Sequence, residues 1–241
     1  MLNQFSRTEL IYGRDAMEML KDARVAVFGI GGVGGYVCEA LVRSGVGAFD
    51  LVDDDKVCLT NINRQIYATR KTVGQYKVDV AAERIKDINP DAVVRTYKTF
   101  YTPETADQFD FKHYDYIVDA IDLVSCKLDL IGQARQRRIP ILTALGTGNK
   151  LHPELLTITD IARTSGCPLA RVMRKELRAR DIHHLKVVFS PEQPGETQQL
   201  ETPPPGRRSV PASVSWVPSV AGLLMAGTVV QDLLNEGGLI P

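Results

Sequence analysis

Six side chains between residues 53 and 122 have the types needed to act on a nucleotide: Asp53, Asp55, Asn61, Arg64, Lys77 and Asp122. Cations neutralise phosphate charge, and carboxylates accept hydrogen bonds from ribose hydroxyls or bind a hard metal ion. Hydride transfer needs a nicotinamide pocket and a donor or acceptor for the substrate carbonyl instead. The set therefore favours phosphate chemistry, provided that the fold brings these residues together.

A glycine-rich turn precedes these residues and predicts where the nucleotide binds. A short apolar run leads into Gly29, Gly31, Gly32 and Gly34, and a second apolar run ends on Asp53. Gly29 allows a sharp turn, Gly31 and Gly32 leave room for phosphate, and Gly34 lets the next helix pack closely. The helix points its positive end at the phosphates. This order predicts a strand, turn, helix and strand that bind a nucleotide.

Alternating strand and helix patterns position the polar residues. Further strands are predicted at 92–97, 114–121 and 140–145, and a helix begins at Lys77 and ends at Pro90. The pattern predicts an α/β fold with a doubly wound, mostly parallel sheet. Asp122 follows the fourth strand and should face the same crevice as Asp53, whereas Asp119 could be a buried, hydrogen-bonded acid.

The second half is less regular. We predict a nucleotide-binding core at 1–150 and a C-terminal extension at 151–241 that belongs to the same domain. The extension contains a basic helix at 167–180, a proline-rich, mobile loop at about 190–211 and a closing helix at 218–234. At the other end, residues 5–20 form a helix-prone lead-in.

Composition narrows the class of protein. Lys and Arg balance Asp and Glu, which excludes a wholly basic nucleic-acid binder but not a local basic patch. No signal peptide pattern opens the chain, and the apolar stretch 217–234 is interrupted by polar residues, so we predict a buried helix, no membrane span and a cytoplasmic protein. The four cysteines form no Cys-x-x-Cys pair, so no zinc is expected.

The residues listed above, together with Asn63, Gln65 and the segment Asp119-Ala-Ile-Asp122, resemble the E1-like adenylation fold shared by ThiF and MoeB proteins. The resemblance implies that ATP is bound by the glycine turn, Asp53, Asp55, Asn61, Arg64 and Lys77. It also implies Mg²⁺ at Asp122. An N-terminal arginine, Arg7, is implied to reach the partner subunit's site, which requires a homodimer.

Within that family the chain is most similar to the tRNA threonylcarbamoyladenosine dehydratases. This resemblance implies ATP-dependent cyclisation of N6-threonylcarbamoyladenosine at position 37 of tRNA through an acyl adenylate. The absence of paired zinc cysteines favours this branch over activation of a ubiquitin-like sulfur-carrier protein, which stays the alternative. A nicotinamide-dependent oxidoreductase and a non-catalytic nucleotide sensor are further alternatives, and a sulfur-transfer partner is left open.

The basic helix is the predicted RNA-binding surface. Between 163 and 186 the chain has seven basic and two acidic residues, and the helix itself contributes Arg171, Arg174, Lys175 and Arg178. Such a cluster can neutralise RNA phosphates or can be a solvated helix face, and only the family resemblance favours RNA. Cys167, beside this patch, is predicted to be an inert thiol because no histidine adjoins it.

Overall fold

The computed structural model describes residues 2–195, 197–198 and 210–239. One seven-stranded sheet forms its centre, in the order β3-β2-β1-β4-β5-β7-β6. All neighbours are parallel except β6 and β7, which are antiparallel. The strands are β1 Arg24–Phe28, β2 Ala48–Val52, β3 Val93–Tyr97, β4 Tyr116–Asp119, β5 Ile141–Ala144, β6 Thr157–Asp160 and β7 Lys186–Phe189.

Helices cover both faces of the sheet, as a parallel sheet requires. The helices are α1 Ser6–Tyr12, α2 Arg14–Asp22, α3 Gly34–Ser44, α4 Lys77–Ile88, α5 Val124–Arg137, α6 Pro168–Arg178 and α7 Trp216–Glu236. On β1, Val25 and Val27 face the core shared with α3, α4 and α7, whereas Ala26 and Phe28 face the core under α5. This alternation explains why the strand is apolar throughout.

The sheet reverses its order of growth beside β1. From β1 the chain adds β2 and β3 on one side, and then crosses to add β4 and β5 on the other. In doubly wound sheets such a switch point opens a crevice at the carboxyl ends of the two central strands. The predicted fold class is confirmed, and the crevice lies beyond Phe28 and Asp119, which pair in register.

Two predicted segments have different bounds in the structure. The helix-prone lead-in at 5–20 forms two helices, because Gly13 adopts φ +82° and ends α1 before α2 begins. The fourth strand was predicted too long: it ends at Asp119, where the chain turns away from the sheet. Asp119 is fully buried and hydrogen-bonded, as the alternative reading proposed.

Helix α7 is long and apolar enough to cross a membrane by length and composition, but it packs inside the protein. It buries Val217, Ala221, Met225 and five further apolar residues in the main core, and 56% of its most apolar window is buried. A Cβ on Gly222 would lie 2.5 Å from the Val33 carbonyl oxygen, so this glycine permits close contact with α3. Gly222 therefore serves close helix packing in the core, whereas Gly227 is exposed and has open space around it.

The C-terminal part contributes β6 and β7 to the same sheet. Most of the proline-rich segment predicted to be mobile lies outside the described residues. The described residues at its start are anchored: Lys150 Nζ donates to the Ser190 carbonyl at 2.8 Å, and Glu192 accepts from the backbone N–H groups of Leu151 and His152.

Candidate active site

A cavity of about 410 Å³ opens at the carboxyl ends of β1, β2 and β4. This volume is within the usual range for small-molecule sites. Nearly all predicted nucleotide-binding residues line it: Gly29, Gly31, Gly32, Asp53, Asp55, Asn61, Arg64, Lys77 and Asp122. The sequence-derived set is thus one spatial cluster, although it comes from four separate stretches of the chain.

The glycine turn is shaped by close approaches of backbone to backbone. Gly29 has φ +93°, and a Cβ there would lie 2.6 Å from the Ala120 carbonyl oxygen. A Cβ on Gly34 would lie 1.8 Å from the Gly29 carbonyl oxygen, so only glycine fits. Gly31 is different, because its nearest neighbour would be 3.9 Å away. Gly29 and Gly34 therefore build the turn, and Gly31 leaves space for a ligand.

Asp53 connects the tip of β2 to the glycine turn. Its Oδ2 accepts from the Ile30 backbone N–H at 2.7 Å, and its Oδ1 accepts from the Asp55 backbone N–H at 2.9 Å. Burial raises the pKa of Asp53 above its usual 3.8, although the Lys77 cation and the two N–H groups act in the opposite direction. The carboxylate thus fixes the turn, a role that the sequence did not reveal.

Lys77 is a nearly buried cation at the wall of the cavity. It is the first residue of α4, and its side chain is 8% exposed. Its Nζ lies 2.6 Å from Asp55 Oδ2 and 3.6 Å from Asp53 Oδ1. A cation at a helix N-terminus is unfavourable for the helix dipole, so the two carboxylates compensate for its placement. The geometry keeps one positive charge facing the site.

A polar turn between β2 and α4 supplies the next groups. Asn61 ends a short 3-10 helix and its Oδ1 accepts from the Cys58 backbone N–H at 3.2 Å. Arg64 donates through one terminal nitrogen to the Thr60 carbonyl at 2.9 Å and to Asn63 Oδ1 at 2.8 Å. Gln65, which was not among the predicted site residues, is buried and also lines the cavity.

Four carboxylates at the cavity could contact a hard metal ion. Asp122 follows the tip of β4 and is exposed at the cavity. Asp53, Asp54 and Asp55 each bring one ligand atom to within 4.8 Å of the others. Oxygen donors of this kind are the ligands that Mg²⁺ accepts. The donor set fits the predicted metal, and it includes Asp54, which the sequence did not single out.

Three further segments line the cavity and were missed from the sequence. Thr99, Phe100 and Tyr101 follow β3, Thr147 and Gly148 follow β5, and residues 210–213 return to the site before α7. The first two could have been found, because they also follow the carboxyl ends of parallel strands. The third has no local signal: it is held by hydrogen bonds between Asn149 and Ala212 and by one from Asn63 to the Ser213 carbonyl.

Arg7 lies on exposed α1 and, within the described chain, does not line the cavity of its own subunit. Of the predicted RNA-binding residues, Arg171, Lys175 and Arg178 are exposed on α6. Arg174 is half-buried and hydrogen-bonded to the backbone carbonyl and hydroxyl of Thr164. The assignments of these four residues to RNA, and of Arg7 to a partner subunit, stay predictions.

Burial makes two of the four cysteine thiols hard to ionise. Burial raises the pKa of Cys38 well above its usual range, and burial also raises that of Cys126. Cys167 is buried at the N-terminus of α6, and Cys58 is exposed. All four are free thiols.

Known proteins match almost the whole chain. The ThiF family model matches residues 4–239. The tRNA threonylcarbamoyladenosine dehydratase of Bacillus subtilis is 44% identical over 98% of this chain and 96% of its own length. Crystal structures of Escherichia coli TcdA, a tRNA N6-threonylcarbamoyladenosine dehydratase, in complex with ATP and with AMP both superpose with a TM-score of 0.88 and 34% identity, covering 98% of this chain and 95% of theirs. The resemblance drawn from the glycine turn and its partner residues is confirmed, and the chain belongs to the ThiF family.

Proposed function

We propose that this protein is an ATP-dependent enzyme that converts N6-threonylcarbamoyladenosine at position 37 of tRNA to its cyclic, dehydrated form. The observation that carries the proposal is the single cavity in which a glycine turn, two cations and four carboxylates meet. The full-length similarity to enzymes named for this reaction, one of them crystallised with ATP and with AMP, supports the same assignment.

The proposed reaction has two steps. The threonyl carboxylate attacks the α-phosphorus of ATP, forms an acyl adenylate and releases pyrophosphate. A ureido nitrogen of the same modification then attacks the activated carbonyl carbon, loses its proton to solvent and expels AMP. One carboxylate oxygen leaves with AMP, so the nucleoside loses the elements of water. Ring closure is intramolecular, and no enzyme nucleophile is needed.

In this scheme the protein contributes charge placement. Lys77 and Arg64 offset the negative charge that develops during attack and departure of pyrophosphate, and the amides at the start of α3 bind phosphate oxygens. Asp53 accepts hydrogen bonds from the ribose while it holds the glycine turn. Asp122 and the acidic tip of β2 would hold Mg²⁺, which when bound neutralises phosphate charge.

The tRNA is proposed to approach along α6. The side chain of Leu169, in the first turn of α6, lies 3.8 Å from the position of a Cβ on Gly146, next to Thr147 at the cavity wall. The exposed cations Arg171, Lys175 and Arg178 continue from that point along the helix. Phosphates bound there would leave the modified base near the cavity. Replacing all three by Gln should weaken tRNA binding and reduce its dependence on salt, with ATP binding unchanged.

We also propose a homodimer in which Arg7 completes the partner subunit's site. Within the described chain, α1 buries none of its residues, and it exposes Leu10 and Ile11 by 80% and 78%. Equal amounts of Arg7→Ala and Lys77→Ala proteins should together recover about a quarter of wild-type activity, because half of randomly mixed dimers hold one complete site. No recovery after subunit exchange would refute the contribution from the partner.

Mass spectrometry tests the function directly. Substrate tRNA incubated with the protein and ATP should lose 18 Da at the modified nucleoside, and AMP should appear in equal amount. Pyrophosphate exchange that requires a small sulfur-carrier protein and ignores tRNA would instead support the alternative activity. A cytoplasmic location fits this substrate, and a sulfur-transfer partner stays a prediction.

A further inference from the structure

A buried ion pair lies beneath the candidate site, and the proposed mechanism does not use it. Lys127 on α5 is 1% exposed and Asp119 at the end of β4 is fully buried. Lys127 Nζ lies 3.0 Å from Asp119 Oδ1. Burying two charges is costly, and apolar residues of similar size often replace such pairs without loss of stability. The pair therefore calls for a reason other than stability.

The hydrogen bonds of the pair join the two strand ends that form the cavity wall. Lys127 Nζ also donates to the Ala144 carbonyl oxygen, the last residue of β5, at 2.8 Å. Asp119 Oδ1 also accepts from the Ile121 backbone N–H at 3.1 Å. One ammonium group thus connects the turn that leads to Asp122 with the strand that leads to Thr147 and Gly148.

The same turn supports the glycine loop. The carbonyl oxygen of Ala120 lies where a Cβ on Gly29 would be only 2.6 Å away, and the Ala120 side chain lies 3.4 Å from a Cβ on Gly34. A shift of the turn after Asp119 would therefore press on the glycine loop. Displacements near 1 Å are enough to cost a catalytic site about 10²-fold in rate.

We infer that Lys127 is a positioning residue for the reaction: through Asp119 and Ala144 it fixes the β4 and β5 ends, and so sets Asp122 and the glycine turn at the distance that ATP requires. The inference rests on the proposed function. Lys127 touches neither substrate in this scheme and acts only through the backbone segments that it joins. Two buried oxygens beside it, Asp119 Oδ2 and Thr143 Oγ1, have no hydrogen-bond partner among the described residues, so the neighbourhood is not arranged for maximal stability.

The test separates positioning from stability with three variants. Lys127→Met removes the ammonium group and leaves Asp119 as a lone buried charge. Asp119→Asn combined with Lys127→Met removes both charges and keeps an acceptor for the Ile121 N–H. Leu130→Ala is the matched control, because it removes buried apolar contacts from the same helix and leaves both partners of the ion pair in place. Each is assayed for unfolding midpoint, ATP affinity by calorimetry with ATP alone, and AMP release with modified tRNA.

We expect Lys127→Met to unfold at a lower temperature, to bind ATP more weakly and to release AMP about 10²-fold more slowly. The double variant regains the wild-type unfolding midpoint but keeps the weak ATP binding and slow AMP release. Leu130→Ala has a lower unfolding midpoint but normal ATP binding and AMP release. The inference is overturned if the double variant regains AMP release together with its unfolding midpoint. It is also overturned if AMP release falls in proportion to the unfolding midpoint in all three variants. A wild-type protein that binds ATP without turning over the tRNA would refute the proposed function, while the ATP titrations would still decide the role of Lys127.

Discussion

Replacing Lys77 with methionine should slow adenylation strongly without unfolding the protein. Methionine keeps an apolar stem of similar length and removes the cation that lies 2.6 Å from Asp55 and 3.6 Å from Asp53. Loss of one group that stabilises charge in a transition state costs roughly 10²–10³-fold in kcat, or about 3–4 kcal/mol. We therefore expect AMP release to fall by that factor.

The stability cost should be smaller than the catalytic cost. The Asp55 side chain is 66% exposed, so its pair with Lys77 is worth at most about 1 kcal/mol. The Asp53 side chain is only 10% exposed, so the loss of its interaction with Lys77 is more costly than the loss of the Asp55 pair. The total expected destabilisation is about 2 kcal/mol. A domain with a stability of roughly 5–15 kcal/mol stays folded after such a loss.

The destabilisation has a defined dependence on pH. Burial already raises the pKa of Asp53 above 3.8, so the stability linked to this group is present below pH 3.8 and lost as pH rises through the raised pKa. Removing Lys77 raises that pKa further. The difference in stability between Lys77→Met and wild type should therefore be small in acid and grow toward neutral pH.

The assay compares AMP release, tRNA binding and denaturant unfolding at several pH values. Lys98→Met is the matched control, since Lys98 is half-exposed, pairs with Asp79 at 2.8 Å and lies outside the cavity. It should behave as wild type in AMP release. Near-normal turnover in Lys77→Met, or a stability difference that shrinks as pH rises, would refute the reasoning.

Three further outcomes are expected. Gly34→Ala should lower the free energy of unfolding by about 3 kcal/mol and remove most of the ATP affinity, because its Cβ would lie 1.8 Å from a backbone oxygen. Gly132→Ala is the control: Gly132 has open space around it, so this change should stabilise α5 slightly in the same unfolding assay. Asp122→Ala should stop AMP release while tRNA binding, followed by filter retention, persists; unchanged turnover would refute its assigned role. Burial raises the pKa of Glu39, but hydrogen bonds from Arg84 and Arg43 outweigh this effect and lower the pKa below 4.5. Arg84→Met should therefore lower the free energy of unfolding by about 1 kcal/mol at neutral pH and by almost nothing well below pH 4.5. A loss of stability that does not change with pH would contradict the role of this ion pair.

Local sequence patterns predicted the nucleotide-binding half of the fold well, because each pattern reflects a conformational requirement of the backbone at that position. The glycine turn requires glycine at Gly29 and Gly34, and the apolar stripe after Lys77 gave both the start and the end of α4. The placement of Asp53 and Asp122 followed from a rule of parallel sheets that holds for any sequence.

The remaining features depend on contacts between distant segments. The cavity wall at 210–213 is set by Asn149, more than sixty residues away, whose amide accepts from the Ala212 N–H. Likewise, nothing in the sequence links the acid at Asp119 to the helical lysine at Lys127, and only the fold brings the two together beneath the site. The break at Gly13 could not be predicted, because one glycine inside a helical pattern is compatible with either a continuous helix or a break.

The fate of one oxygen atom tests the central claim, that the threonyl carboxylate is activated by transfer of AMP. Substrate tRNA is prepared with threonine carrying ¹⁸O in its carboxylate and is incubated with the protein and unlabelled ATP. The account predicts one ¹⁸O atom in the phosphate of the released AMP, in equal amount with cyclised nucleoside. Cyclised nucleoside formed with unlabelled AMP, or with ADP and labelled inorganic phosphate, would contradict it.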